Sequence, residues 1–186
     1  MAKLIYVTNL SLDGYIEDED GSFDWTGPDD ELLAFITDLV RPVGTHLYGR
    51  RLYETMAVWE TDPALAAQSA LMADFANVWQ AAFKVVYSRT LDAVATARTR
   101  LERAFDPAAL RDMKASASSD LTVGGAELAA HAFRAGLVDE CQLLIRPVLV
   151  GGGKPALPSG VRAGLELLDN RRLSKGVVYL RYGVPT

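Results

Sequence analysis

Two strand-to-helix junctions, each broken at glycine, constrain this chain most. They are Leu47-Tyr48-Gly49-Arg50-Arg51-Leu52-Tyr53-Glu54-Thr55 and Leu121-Thr122-Val123-Gly124-Gly125-Ala126-Glu127-Leu128. Each reads as an apolar strand that stops at glycine and restarts as a helix. Such a junction is half of a βαβ unit, which commits its surroundings to parallel strands with helices on the sheet faces. A helix entered through glycine directs unpaired N–H groups and the positive end of its dipole outward. That end suits phosphate. Two of them in one small domain can grip a pyrophosphate from both sides, with Arg50 and Arg51 adding charge.

The rest of the chain repeats the alternation. Lys3–Thr8 reads as a buried strand, and Ser11–Ile16 as a turn signal next to apolar residues. Residues 17–28 form an acidic loop. Pro28-Asp29-Asp30-Glu31 opens a helix with acids at its positive end, and Leu32, Phe35, Ile36, Leu39 and Val40 share one face of it. Thr45–Tyr48 is a strand, Arg50–Met56 a helix, residues 58–68 irregular, Ala70–Ala82 a helix and Phe83–Ser88 a strand. A short strand is expected near Arg98–Arg103. Asp106-Pro107 carries the cap and first-turn proline of a helix. Asp120–Val123 is a strand, and Ala126–Ala135 a helix stopped by Gly136. Val138–Val150 is a long apolar run broken by Pro147, Gly151-Gly152-Gly153 a turn, and Val177–Tyr182 the last strand. The expected fold is a single α/β domain over residues 1–186, with a mostly parallel central sheet between helical layers and an antiparallel C-terminal edge. Ligands in such sheets sit at the carboxyl ends of strands. Here those ends are Val7-Thr8-Asn9, Tyr48-Gly49, Ser88-Arg89-Thr90 and Val123-Gly124-Gly125.

Composition narrows the function. Net charge is −5, and residues 1–40 hold ten Asp/Glu against one Lys, which argues against nucleic acid or an anionic membrane as partner. One cysteine, Cys141, precludes an intrachain disulfide and points to the cytosol, with no secretory signal or membrane-spanning run. Two isolated histidines, His46 and His131, argue for structural roles and no metal site. Gly151-Gly152-Gly153-Lys154-Pro155 lacks the earlier glycine and the following Ser/Thr of a P-loop and reads as a turn. Arg50, Arg51 and Arg89 offer forked guanidinium groups suited to a terminal phosphate, and no acid comes right after the strand ending at Ser88. That combination favours NADP over NAD. Asp13 and Glu31 are the candidate acids on the substrate side. Asp13 is also a turn former, and Glu31 is also a first-turn acid that shares a helix face with Phe35.

The motifs occur in an order that resembles the dihydrofolate reductase-like fold, in particular stand-alone relatives of the C-terminal reductase domain of the bifunctional riboflavin-biosynthesis enzyme. The matching stretches are Val7–Ile16, Tyr48–Glu54, Lys84–Leu91, Val123–Leu128 and Gly136–Gly153. The resemblance implies a three-layer α/β/α domain and NADPH as hydride donor to a pteridine- or pyrimidine-type heterocycle. It implies a homodimer in the cytoplasm. It places the cofactor phosphates at Gly49, Arg50 and Arg51 and at Gly124, Gly125, Ala126 and Glu127, with Leu52, Val123 and Leu128 also in the cofactor site. The 2′-phosphate falls near Ser88, Arg89 and Thr90, and the nicotinamide near Thr8, Asn9 and the Asp13–Ile16 loop. The family often has threonine at the position of Leu52, and riboflavin-type reductases carry glutamate at that of Val123. A catalytically silent NADP(H)-binding paralogue is therefore the alternative to a reductase.

Overall fold

A computed structural model of the protein describes residues 1–185. In chain order it forms β1 (Leu4–Ser11), β2 (Tyr15–Glu17), α1 (Asp30–Val40), β3 (Thr45–Gly49), α2 (Arg50–Met56), α3 (Val58–Thr61), α4 (Pro63–Ala66) and α5 (Ala70–Ala81). These are followed by β4 (Phe83–Tyr87), β5 (Thr99–Glu102), α6 (Pro107–Ser116), β6 (Leu121–Gly124), α7 (Ala126–Arg134), β7 (Glu140–Arg146), β8 (Lys154–Pro155), β9 (Glu166–Arg172) and β10 (Val178–Gly183). One eight-stranded sheet runs β5-β4-β3-β6-β1-β7-β10-β9, and β2 pairs with β8 in a small ribbon. The first six strands in that order are mutually parallel; β10 and β9 close the edge antiparallel.

Strand alternation sorts side chains between two layers. Leu4, Tyr6, Leu47, Val85, Leu121, Val123 and Leu143 face one side, where Leu110 of α6 and Leu128, Ala129 and Ala132 of α7 cover them. Tyr48 and Val86 face the other side and meet Leu33 of α1, Tyr53 of α2, and Phe75 and Trp79 of α5. Leu32 packs with Leu144 and Tyr179 farther along the same face. Burial of each large side chain contributes about 1.5–3 kcal/mol. Trp79, 1% exposed, also donates its indole N–H to Tyr48 Oη at 3.0 Å, so this buried indole leaves no polar atom orphaned.

The three-layer architecture with an antiparallel C-terminal edge is as the sequence led us to expect. Two details differ. Residues 58–68 hold two helical turns, the second opened by Asp62, whose carboxylate accepts from Ala64 and Leu65 N–H. The antiparallel edge is one strand wider than expected. Glu-Leu-Leu-Asp-Asn-Arg-Arg carries little strand propensity and is exposed at every position but Asp169, so β9 owes its form to the ladder with β10 rather than to local preference.

Candidate active site

The glycine junctions meet at the carboxyl edge of the parallel strands. Gly49 ends β3 and stands at the start of α2; Gly125, at φ +89°, stands at the start of α7. Neither helix has a side-chain cap. By contrast Asp29, Asp62, Ser69 and Asp106 cap α1, α4, α5 and α6. The first-turn N–H groups of α2 and α7 are thus left for a ligand. The two starts are neighbours, since a Cβ built on Gly125 would stand 3.9 Å from Gly49 N. Gly124 permits this approach. A Cβ there would overlap Leu52 Cδ2 and come within 3.3 Å of the Tyr48 ring, so Leu52 is a packing residue between α2 and β6.

Charged side chains ring the junctions. Arg51 Nη1 donates to Glu17 Oε1 at 3.0 Å, and Lys154 Nζ stands 3.5 Å from the same oxygen and 3.1 Å from Glu127 Oε1. Arg50 bonds Glu54 at 2.8 Å and Thr90 Oγ1 at 2.9 Å, which ties α2 to the segment after β4. Ser88 is buried there, its Oγ accepting from Thr90 and Leu91 N–H, while Arg89 and Thr90 are exposed. A hollow of about 710 Å³ lies alongside, lined in part by Glu17, Asp20, Arg51, Gly153 and Lys154. The structure brings together Gly49, Arg51, Gly124, Gly125, Ala126 and Glu127. Val123 and Leu128, by contrast, send their side chains into the core and can offer a ligand only backbone. Lys154 escaped sequence reasoning because its glycine run reads as a plain turn; the pairing of β8 with β2 is what carries it here.

A second group gathers where β1 and β7 end. Thr8 and Asn9 are half-buried on β1, and Ile16 packs against the main core. Arg146, 4% exposed, donates Nε to Asn9 Oδ1 at 3.0 Å and Nη2 to the Thr26 carbonyl. Nothing in the sequence singled it out beyond a cation ending an apolar strand. Trp25, in the 3-10 turn Asp24–Thr26, has a buried Nε1 without a partner.

The two acids expected on this side, Asp13 and Glu31, both bond backbone N–H groups. Asp13 accepts from Val150 N–H at 3.2 Å and Gly151 N–H at 2.8 Å. A hydrogen bond from Ser11, aided by those two amides, holds its carboxyl below the usual carboxylate range, so at neutral pH it is an anion fastening a turn. Glu31 is exposed and accepts from Ser174 N–H at 3.2 Å, joining α1 to the β9–β10 connection.

Elsewhere, His46 is buried, pairs its Nδ1 with Thr122 Oγ1 at 2.6 Å, and is pushed down to about 4 by burial, so it stays neutral within the sheet. A groove of about 640 Å³, lined in part by Arg41, Asp74, Phe83 and Ser119, opens at the amino ends of β3 and β4, the edge opposite the glycine junctions. Among the described residues no group of three or more His, Cys, Asp or Glu could hold a metal ion, and no helix is long and apolar enough to cross a membrane.

Known proteins share this fold. The chain is 28% identical to the uncharacterized protein YyaP of Bacillus subtilis (strain 168), over 97% of its own length and 94% of that protein's. It superposes, with a TM-score of 0.76 and 20% identity over the whole of both chains, on a crystal structure from Shewanella sp. PV-4 provisionally assigned to riboflavin biosynthesis. It also superposes on the diaminohydroxyphosphoribosylaminopyrimidine deaminase/5-amino-6-(5-phosphoribosylamino)uracil reductase of Thermotoga maritima, with a TM-score of 0.65 and 13% identity, spanning 57% of that chain. Residues 2–179 match the RibD C-terminal domain, and the chain belongs to that family.

Proposed function

We propose that this chain is a reductase that uses NADPH to reduce a pteridine- or pyrimidine-type heterocycle. The observation that carries the reading is the meeting of two uncapped, glycine-led helix starts at Gly49 and Gly125. The residues there fit a dinucleotide. The first turns of α2 and α7 would hold its pyrophosphate, and Arg51 and Lys154 would exchange Glu17 for phosphate oxygens. Ser88, Arg89 and Thr90, with Arg50 bonded to Thr90, would take the 2′-phosphate. Thr8, Asn9 and Ile16 would border the nicotinamide. When bound, NADPH supplies the hydride. The chain's own work is to place the acceptor and keep it still. With Asp13 and Glu31 engaged on backbone N–H groups, this reading draws the proton for the acceptor from water in the crevice.

Fluorescence titration with NADPH and with NADH tests the reading. The expected result is micromolar NADPH binding, with NADH at least ~10-fold weaker, as loss of charge-assisted bonds to one phosphate predicts. Arg89→Met should narrow that gap; equal loss for both nucleotides would remove Arg89 from the 2′-phosphate site. Binding of neither nucleotide would overturn the proposal. The same engagement of Asp13 and Glu31 favours a second reading, an NADP(H)-binding paralogue without catalysis. It would be established by NADPH binding with no oxidation across a panel of pteridines and pyrimidines.

We further propose that the chain pairs with a second copy along β9. This edge strand leaves backbone groups unpaired, and Leu165, Leu167 and Leu168 are 45–50% exposed beside it. A monomer in sedimentation equilibrium would refute that. The buried free thiol of Cys141, pushed up to about 11 by burial, accords with a cytoplasmic setting.

A further inference from the structure

Among the described residues three cations are buried, Lys84, Lys114 and Arg146, and one of them lacks a counter-ion. Lys114 pairs with Asp139 at 2.6 Å, and Lys84 has Glu60 at 3.9 Å. Arg146 makes no ion pair among the described residues. Its partners are two neutral oxygens, Asn9 Oδ1 and the Thr26 carbonyl, and Asp29 acts on it only at longer range. Guanidinium keeps its proton in proteins, so the charge cannot be shed. Burying it with neutral acceptors alone is costly. Three of its five N–H groups, both on Nη1 and one on Nη2, donate to nothing among the described residues.

Its position makes that vacancy useful. Arg146 ends β7, opposite Ser11 of the parallel β1, at the carboxyl edge where Asn9 borders the expected nicotinamide position. The turn it holds through Thr26 carries a second orphan donor, the buried Nε1 of Trp25. A cation with N–H groups to spare and a neutral N–H without a partner, attached to one turn, match an oxyanion and not a neutral ring edge.

We propose that Arg146 is a specificity-determining residue that takes an oxyanionic substituent, such as a carboxylate, carried on the ring of the hydride acceptor. Asn9 and Thr26 fix the guanidinium by Nε and Nη2, leaving Nη1 to point its pair of N–H groups at the ligand, with Trp25 as the second donor. This assignment rests on the reductase reading for its location, though the anion preference itself is a property of Arg146.

Matched pairs of ligands test it. Pterin-6-carboxylate against pterin, and orotate against uracil, differ only in the oxyanion. Each is titrated calorimetrically into the protein alone and into protein saturated with NADPH. The expected result is a preference of at least ~10-fold for the carboxylate member of one pair or both, as charge-assisted bonds of this kind supply. Arg146→Met should abolish the preference and Arg146→Lys should keep part of it, with far-UV circular dichroism and the urea midpoint of each variant as the check of an intact fold. A preference under ~2-fold in the unsubstituted protein, no binding of any member, or a preference that survives in Arg146→Met would overturn the assignment. Failure to bind NADPH while the carboxylate preference holds would sink the reductase reading and leave Arg146 as an anion site.

Discussion

Around Gly49 and Gly125 the carboxyl edge of the sheet is made of backbone; around Asn9 and Arg146 it is made of side chains. On the first half, two helices start without caps, and glycine is required for close approach and for a positive φ. On the second half, α1 is capped by Asp29, Asp13 fastens the turn at Gly151, and Arg146 holds the 3-10 turn through Thr26. Farther down β7, Glu140 joins the N-terminal residues to β10, accepting from Lys3 at 2.5 Å and from Arg181 at 2.7 and 2.9 Å. The backbone half offers unspent donors to an anion. The side-chain half spends its charges on holding itself together, Arg146 excepted. Acid should therefore loosen the second half first, while changes at glycine should damage the first.

The largest effect is expected at Glu140. Its side chain is 2% exposed, and burial alone would raise its pKa; hydrogen bonds and charge from Arg181 and Lys3 outweigh burial and bring it down to about 2. A carboxyl lowered on folding adds stability above its unfolded pKa of about 4.3, and that stability is lost as pH falls through the folded value. The window is thus about pH 4.3 to 2, and the amount is roughly 3 kcal/mol at neutral pH. Urea unfolding at a series of pH values should show this slope in the wild type and a flatter one in Glu140→Gln. Equal slopes would mean that the two halves do not differ in their dependence on charge.

Gly125→Val attacks the backbone half. At φ +89° and ψ 124° the residue occupies a region nearly closed to side chains, so substitution should cost about 1–3 kcal/mol in urea unfolding. Displacing the start of α7 should also weaken NADPH more than ~10-fold, a loss of over 1.4 kcal/mol. Unfolding cost without loss of nucleotide affinity would separate the α7 start from the cofactor.

These two halves were unequally legible in the sequence. Gly49, Gly124 and Gly125 announce themselves because their meaning is local: a glycine between a strand pattern and a helix pattern dictates the junction whatever surrounds it. The helix cap Asp106 is legible for the same reason. Arg146, Lys154 and the true task of Asp13 were not, since each depends on partners about 137 residues away in the chain, as in the contacts of Arg146 with Asn9 and of Asp13 with Val150. The contact of Glu31 was hidden because first-turn acids look alike; only the β9–β10 connection, invisible in a polar stretch, shows what it bonds.

The smaller predictions exchange the features of the two halves. Asp29→Ala removes a cap from α1 and should cost about 1 kcal/mol in stability while leaving NADPH affinity unchanged. Gly49→Asp does the reverse. Gly49 has φ −72° and ψ 163°, which any residue adopts, and a Cβ there meets nothing within 4 Å. An aspartate can accept from the free first-turn N–H groups of α2, as Asp29 does on α1. Stability should rise by only a few tenths of a kcal/mol, because glycine is itself a tolerated cap. The same carboxylate would fill the donors and repel the charge that phosphate needs, so NADPH should bind ~10-fold more weakly while the protein unfolds no more easily. A variant slightly more stable yet weaker for nucleotide is what an anion site left deliberately uncapped requires. Undiminished NADPH affinity in Gly49→Asp would show that the bare start of α2 is a packing consequence of Gly124 and Leu52 and not half of a phosphate grip.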